Sequence, residues 1–195
     1  MMSNSLKVSI PEDCKKIIVL FSGGVDSTLL LFLLMKERQE TGRKLPIKCY
    51  TMNIASGDST YLTTLKWISD YFNEEIPIQS MRRLYIREAI SNIFLIDSGY
   101  VYTGCNLVLE DEIKPTVYLR GDTPPKRGPA FNEFHLRPFI DLPKDIIIQQ
   151  YKELDILDLL KLTVSCGVPD GPCGGCYFCL ERKWGLQRVG LVETL

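Results

Sequence analysis

At 195 residues, with 45% hydrophobic and 24% charged side chains, the chain has the composition of a folded globular protein and can bury a full core, which excludes an intrinsically disordered segment. Its 23 Lys and Arg balance 24 Asp and Glu to a formal charge of -1, so the overall charge gives no support to a nucleic-acid partner. The longest unbroken apolar run, Leu29 to Met35, is too short to cross a bilayer, and the first residues lack the basic-then-apolar order of a signal peptide. These features predict a cytoplasmic protein with no membrane partner, in which seven cysteines point to metal or redox chemistry before disulfides.

Taken in order, the chain alternates strands and helices. Lys16 to Phe21 is a short β-rich run, and a helix follows from about Asp26. Ile47 to Met52 reads as a second strand, and Tyr61 to Phe72 has apolar residues at helical spacing. Ile76 to Gln79 is a short strand before a helical run from Leu84 to Ile96, and Tyr100 to Thr103 is another strand. Periodicity fades between Glu110 and Arg137, where Pro115, Pro124, Pro125, Gly128 and Pro129 mark loop. A helix resumes behind Pro143 to about Leu154, and the Cys/Gly-rich tail from Thr163 ends in a short basic helix. Strands separated by helices pair in parallel, which predicts a three-layer α/β/α sandwich over residues 1–162, with residues 163–195 as an appended cysteine-bearing segment.

The first strand runs into Phe21-Ser22-Gly23-Gly24-Val25-Asp26-Ser27-Thr28. In a parallel sheet, ligands bind beyond the carboxyl ends of strands, and a helix N-terminus there favours phosphate. Gly23 and Gly24 let the backbone close around an anion, Ser27 and Thr28 add hydroxyl donors, and Asp26 is placed to cap the helix or to help hold Mg²⁺. The string is neither a Walker A loop, whose lysine it lacks, nor Gly-x-Gly-x-x-Gly. The seven apolar residues behind it read as a helix buried between the sheet and an outer layer.

Cys166, Cys173, Cys176 and Cys179 form C-x6-C-x2-C-x2-C. Four thiolates among glycines suit a closed, tetrahedral Zn²⁺ site with a structural role. The C-x2-C-x2-C portion also fits an iron–sulfur ligand set, although the ferredoxin continuation x3-C-P is replaced by Leu180-Glu181-Arg182-Lys183. Cys14, Cys49 and Cys105 have no ligand spacing and read as unligated small residues. The sole histidine, His135, reads as a surface or hydrogen-bonded residue rather than an acid–base group, and Glu110-Asp111-Glu112 as a solvated acidic loop.

Ser22 to Thr28, SGGVDST, resembles the signature of the PP-loop ATP pyrophosphatases, the adenine nucleotide alpha hydrolase-like group. Combined with the four-cysteine tail, it resembles the 7-cyano-7-deazaguanine synthase family. YTGCN (Tyr102 to Asn106) is similar to that family's strand-end G-x-N, RPFIDLPKDII (Arg137 to Ile147) to the segment bearing its lysine, and CLERKWGL to the run after its last zinc ligand. Two elements differ: MNIASGDSTY (Met52 to Tyr61) stands where the family shows Asp-Tyr-Gly-Gln, and LRGDTPPKRGP (Leu119 to Pro129) where it shows P-D-C-R.

The resemblance implies a parallel five-stranded sheet and a loop that grips the pyrophosphate end of Mg-ATP, with Asp26 and Ser27 catalytic and the adenine near Met52 and Asn53. It implies one structural zinc per chain on the four cysteines, and a deazaguanine carboxylate and ammonia as the other substrates. Arg87, Asn106 and Lys144 are the candidates to bind the acceptor, with Arg83 a further cation nearby. Dimers are common in the family. The alternative is a PP-loop tRNA-modifying thiolase, some of which carry a three-cysteine cluster, or another adenylating enzyme with a different acceptor.

Overall fold

In a computed structural model, described for residues 6–52, 60–81, 85–107, 113–114, 130–166 and 172–192, five strands form one sheet. The elements are β1 (Ile17–Leu20), α1 (Val25–Glu40), β2 (Ile47–Met52), α2 (Thr60–Phe72), β3 (Ile78–Met81), α3 (Ile86–Ile96), β4 (Tyr100–Thr103), β5 (His135–Leu136), α4 (Lys144–Glu153), α5 (Leu157–Leu162) and α6 (Tyr177–Arg188). The strand order is β3-β2-β1-β4-β5 and every pairing is parallel, with Ile17 opposite Ile47 on one side and Tyr100 on the other.

A parallel sheet covered on both faces needs strands that are apolar throughout, and all four residues of β1 are buried. The pleat sends Ile17 and Val19 into a large cluster with α1, α4 and α5, and Ile18 and Leu20 into a smaller one with Ile90 and Ile93 of α3. Every residue from Leu29 to Met35 is buried, because α1 is enclosed by the sheet, α2 and α4. Phe32 packs against Trp67, Tyr71 and Phe72 of α2, with ring centroids 5.1–6.4 Å apart.

At the end of α3, Asp97 accepts two hydrogen bonds from Lys16 (2.6 and 2.8 Å) and one from the Tyr50 hydroxyl (3.0 Å), with Lys48 at 3.5 Å. Burial alone would raise the Asp97 pKa, but these partners outweigh it and hold the carboxyl below its ordinary value. The cluster ties the amino-terminal edge of the sheet together. Among the described residues, no helix is long and apolar enough to cross a membrane.

Three elements differ from the sequence expectation, one of them the six-residue helix α5 (Leu157–Leu162), which is too short to show a helical period and falls where no element was expected. The fifth strand, His135–Leu136, falls inside the stretch read as loop, because two residues carry too little periodicity to register. The third strand begins two residues later than expected, since Pro77, which cannot donate to a ladder, precedes it.

His135 is 7% exposed, accepts the Phe131 N–H on Nδ1 (3.1 Å) and lies 2.9 Å from Thr103 Oγ1 through Nε2, which fixes the Nε2–H tautomer. Burial, helped by Arg137, lowers its pKa from 6.5 to about 4. The unfolded chain therefore binds the extra proton between those values, and stability falls as pH drops from 6.5 to about 4. Urea titrations at pH 7 and pH 4.5 are expected to show His135→Gln losing less stability on acidification than the parent, by up to about 3 kcal/mol.

Candidate functional site

The connection out of β1 runs toward β2 on one side, and that out of β4 runs toward β5 on the other, so the carboxyl ends of β1 and β4 form the topological switch point of the sheet. Ser22 to Thr28 lies at one lip and Gly104 to Asn106 at the other. The lips touch: a Cβ on Gly104 would stand 2.8 Å from both the carbonyl carbon of Asp26 and the nitrogen of Ser27. Gly23 has φ +74° and a Cβ there would meet Tyr61 Cα at 2.7 Å, so both backbone conformation and space require glycine.

Gly24, rather than Asp26, is the N-cap of α1, and the first intrahelical bond runs from Thr28 N–H to the Gly24 carbonyl. The loop is held by its own hydroxyls. Ser22 N–H donates to Ser27 Oγ (3.1 Å), the two serine oxygens are 3.0 Å apart, and Gly24 N–H donates to Ser22 Oγ (3.3 Å). Ser22 is exposed and Ser27 lies beneath it, 6% exposed. Phe21 and Val25 are buried, and the Thr28 hydroxyl is buried without a hydrogen-bond partner among the described residues. Met52 ends β2, half-buried, while Asn53, Arg83 and most of the two segments that differ from the family pattern lie outside the described residues.

Asp26 turns away from capping because Lys144 takes its carboxylate. Lys144 Nζ lies 2.6 and 2.5 Å from the two Asp26 oxygens and 3.0 Å from Glu181 Oε2. The Lys144 and Glu181 side chains are 2% and 3% exposed, whereas that of Asp26 keeps 21% of its surface open. Glu181 also accepts hydrogen bonds from Asn106 Nδ2 (2.8 Å) and the Tyr177 hydroxyl (3.4 Å). Burial raises the Asp26 pKa, against the pull of Lys144; for Lys144, burial opposes charge, but the two carboxylates outweigh it and keep the ammonium protonated. Asp26 is the member of the network that reaches the surface.

Of the acceptor-binding candidates, Lys144 and Asn106 are brought together, both on Glu181. Arg87 stands apart in the first turn of α3, exposed, with its guanidinium 6.0 Å from the Phe131 ring centroid. Glu181 was not singled out in the sequence. Its place two residues beyond Cys179 is visible there, but nothing local reveals that its carboxylate meets Lys144. Nor does the sequence reveal Ser165, whose Oγ accepts the Val25 N–H at 3.4 Å.

Cys166, Cys173, Cys176 and Cys179 converge, with all four sulfurs within 4.8 Å of one another and Cys166 Sγ 4.0 Å from Cys176 Sγ. A single tetrahedral ion with metal–sulfur bonds of about 2.3 Å spaces its sulfurs by about 3.8 Å. A four-iron cubane holds its thiolates at the outward corners of a larger body. The donor set therefore fits one metal ion. Backbone N–H groups, chiefly that of Gly175, bring the Cys173 thiol down to about 7, toward the thiolate that a metal binds, while burial pushes Cys179 up. Cys14 and Cys49 are buried and their thiols are pushed up by burial, as inert packing residues are.

No protein-family model matches the chain, and no curated protein matches it in sequence. Solved structures similar to it include the following three. An NH3-dependent NAD synthetase from Campylobacter jejuni is 15% identical over 77% of this chain and 69% of its own, with a TM-score of 0.49. A U34-tRNA thiolase from Methanococcus maripaludis, solved with its [4Fe-4S] cluster, is 14% identical over 97% and 74%, with a TM-score of 0.46. An NMN synthetase from Francisella tularensis is 14% identical over 93% and 80%, with a TM-score of 0.47. At these identities none of the three assigns a substrate to this chain.

Two substitutions test the geometry. Lys144→Met leaves the buried Glu181 carboxylate without its cation beside Asp26 and is expected to cost about 3–5 kcal/mol in urea unfolding at pH 7. A loss below 1 kcal/mol would mean that the ammonium is not the centre of the network. Gly23→Ala forces a side chain into positive φ against Tyr61 and is expected to lower the midpoint of thermal unfolding measurably, by more than Gly42→Ala, whose added Cβ meets nothing within 4 Å.

Proposed function

We propose that the protein is an ATP-dependent adenylating enzyme that converts 7-carboxy-7-deazaguanine and ammonia into 7-cyano-7-deazaguanine. The observation that carries the reading is the SGGVDST loop at the switch point of a parallel sheet, with stacked serine hydroxyls and an acidic residue at a helix N-terminus. Ser22, Gly23, Gly24 and Ser27 surround the pyrophosphate end of ATP, and the open edge of Asp26 meets its Mg²⁺.

In this mechanism an oxygen of the substrate carboxylate attacks the α-phosphorus while the bond to the β-phosphate bridging oxygen breaks and pyrophosphate leaves. Ammonia then adds at the acyl carbon, AMP departs with the bonding pair, and a proton is lost to give the amide. A second ATP adenylates the amide oxygen, and departure of AMP with loss of two protons leaves the nitrile. The residues contribute by position and charge rather than as nucleophiles. Zinc on Cys166, Cys173, Cys176 and Cys179 has no open coordination position and supplies structure.

The test is product analysis. Purified protein, Mg-ATP, ammonium and 7-carboxy-7-deazaguanine are incubated, and nucleotides and bases are resolved by liquid chromatography and mass spectrometry. AMP, pyrophosphate and a base of nitrile mass are expected, and Asp26→Asn is expected to make no AMP. Formation of ADP instead would defeat the adenylation reading. AMP formed only with another carboxylate would leave the adenylation and move the acceptor to a different chemistry. The purified protein is expected to be colourless, with one zinc per chain by elemental analysis; a brown protein with iron and sulfide would favour the thiolase alternative.

A further inference from the structure

The thiol-bearing tail and the loop are joined at three points. Val164 N–H donates to the Gly23 carbonyl (3.2 Å), and Val25 N–H to Ser165 Oγ (3.4 Å); these two residues immediately precede Cys166. The third point runs through helix α6. Cys176 is its N-cap, Cys179 is in its first turn, and Glu181 follows half a turn later. Glu181 reaches Lys144 at 3.0 Å, and Lys144 reaches both oxygens of Asp26. Gly185 allows the approach: a Cβ there would stand 2.9 Å from Lys144 Cγ and 2.8 Å from Ile148 Cδ1.

We propose that Glu181 is a positioning residue that couples the metal held by the four cysteines to the nucleotide affinity of the loop. This rests on the nucleotide reading above. An ion bonded to Cys166, Cys173, Cys176 and Cys179 fixes the start of α6 relative to the segment before Cys166. Glu181 then has one place to stand, and with Asn106 holding its other oxygen it sets where Lys144 restrains Asp26. Without the ion, only hydrogen-bond contacts such as Cys173 N–H to Cys166 Sγ (3.4 Å) and Cys176 N–H to Cys173 Sγ (3.3 Å) join the cysteines, weaker ties than metal–thiolate bonds, and the Asp26 carboxylate has a looser support. Coupling between two ligands is reciprocal, so Mg-ATP must tighten the metal by the same factor by which the metal tightens Mg-ATP.

The experiment measures that factor in both directions on the full chain. Zinc affinity is read by competition with a chromogenic chelator, with and without saturating Mg-ATP, and Mg-ATP affinity by calorimetry on zinc-loaded and zinc-stripped protein. A shared factor of about tenfold is expected, within the usual range for coupled sites. In Glu181→Gln both ligands are expected still to bind, with the factor falling toward one. Glu181→Asp keeps the buried charge while drawing the carboxylate back by one methylene, so it serves if Glu181→Gln does not fold, and the same fall is expected.

Binding of both ligands to the parent with a factor of one would overturn the coupling alone and leave the nucleotide site standing. An undiminished factor in both Glu181 variants would overturn the role of this residue. Failure of the zinc-loaded parent to bind Mg-ATP would sink the nucleotide reading, and the proposal with it.

Discussion

A lysine ammonium held between two carboxylates, out of reach of water, organises the working end of this molecule. Lys144 begins α4, Asp26 lies in the first turn of α1, and Glu181 in α6, so one cation joins three helices. Burying such a network is costly, and the arrangement is tolerable only because the contacts are short and the remaining oxygen, Glu181 Oε1, has donors in Asn106 and Tyr177. That demand reaches outward. Gly185 must lack a side chain for α6 to approach Lys144, and Gly104 must lack one for β4 to approach Asp26. The Tyr151 hydroxyl, buried on α4, anchors the same region by donating to the Val25 carbonyl at 2.6 Å.

The two ends of the sheet treat charge differently. At the amino-terminal edge, Asp97 is saturated by Lys16, Tyr50 and Lys48. A cavity of about 590 Å³ beside the end of α1 is lined by Arg38, Arg43 and Glu74, but its arginines are already used. Arg38 pairs with Glu74 and the Leu45 carbonyl, and Arg43 donates to the carbonyls of Ile10, Glu12 and Cys14. These contacts close the fold. At the carboxyl edge the Asp26 side chain keeps 21% of its surface open, and the backbone approaches closely at Gly104. The cavity and the Asp26–Lys144–Glu181 network therefore lie at opposite ends of α1.

The four-cysteine tail gains meaning from where it is attached. Had it been tied to the far edge of the sheet, a metal there would only add stability. Its hydrogen bonds instead run to Gly23 and Val25, and its helix delivers Glu181 to the charged network. Sulfurs packed within 4.8 Å of one another are suited to a metal ion.

The sequence by itself determined the strand–loop–helix at Ile17 to Met35, the parallel α/β architecture and the cysteine spacing, since each is written in local periodicity, turn chemistry or short-range order. It also marked Lys144, Asn106 and Asp26 individually. Tertiary structure alone decided that these three converge, because Asp26 and Lys144 are 118 residues apart and no local rule pairs them. It moved the helix cap from Asp26 to Gly24, since a carboxylate bound to a buried ammonium is not free to cap. It turned His135 from loop into the fifth strand and brought in Glu181, whose role exists only where α6 meets α4. Local hydrogen bonding and spacing can be read along a chain; the partner of a buried charge is set by which helices the core brings face to face.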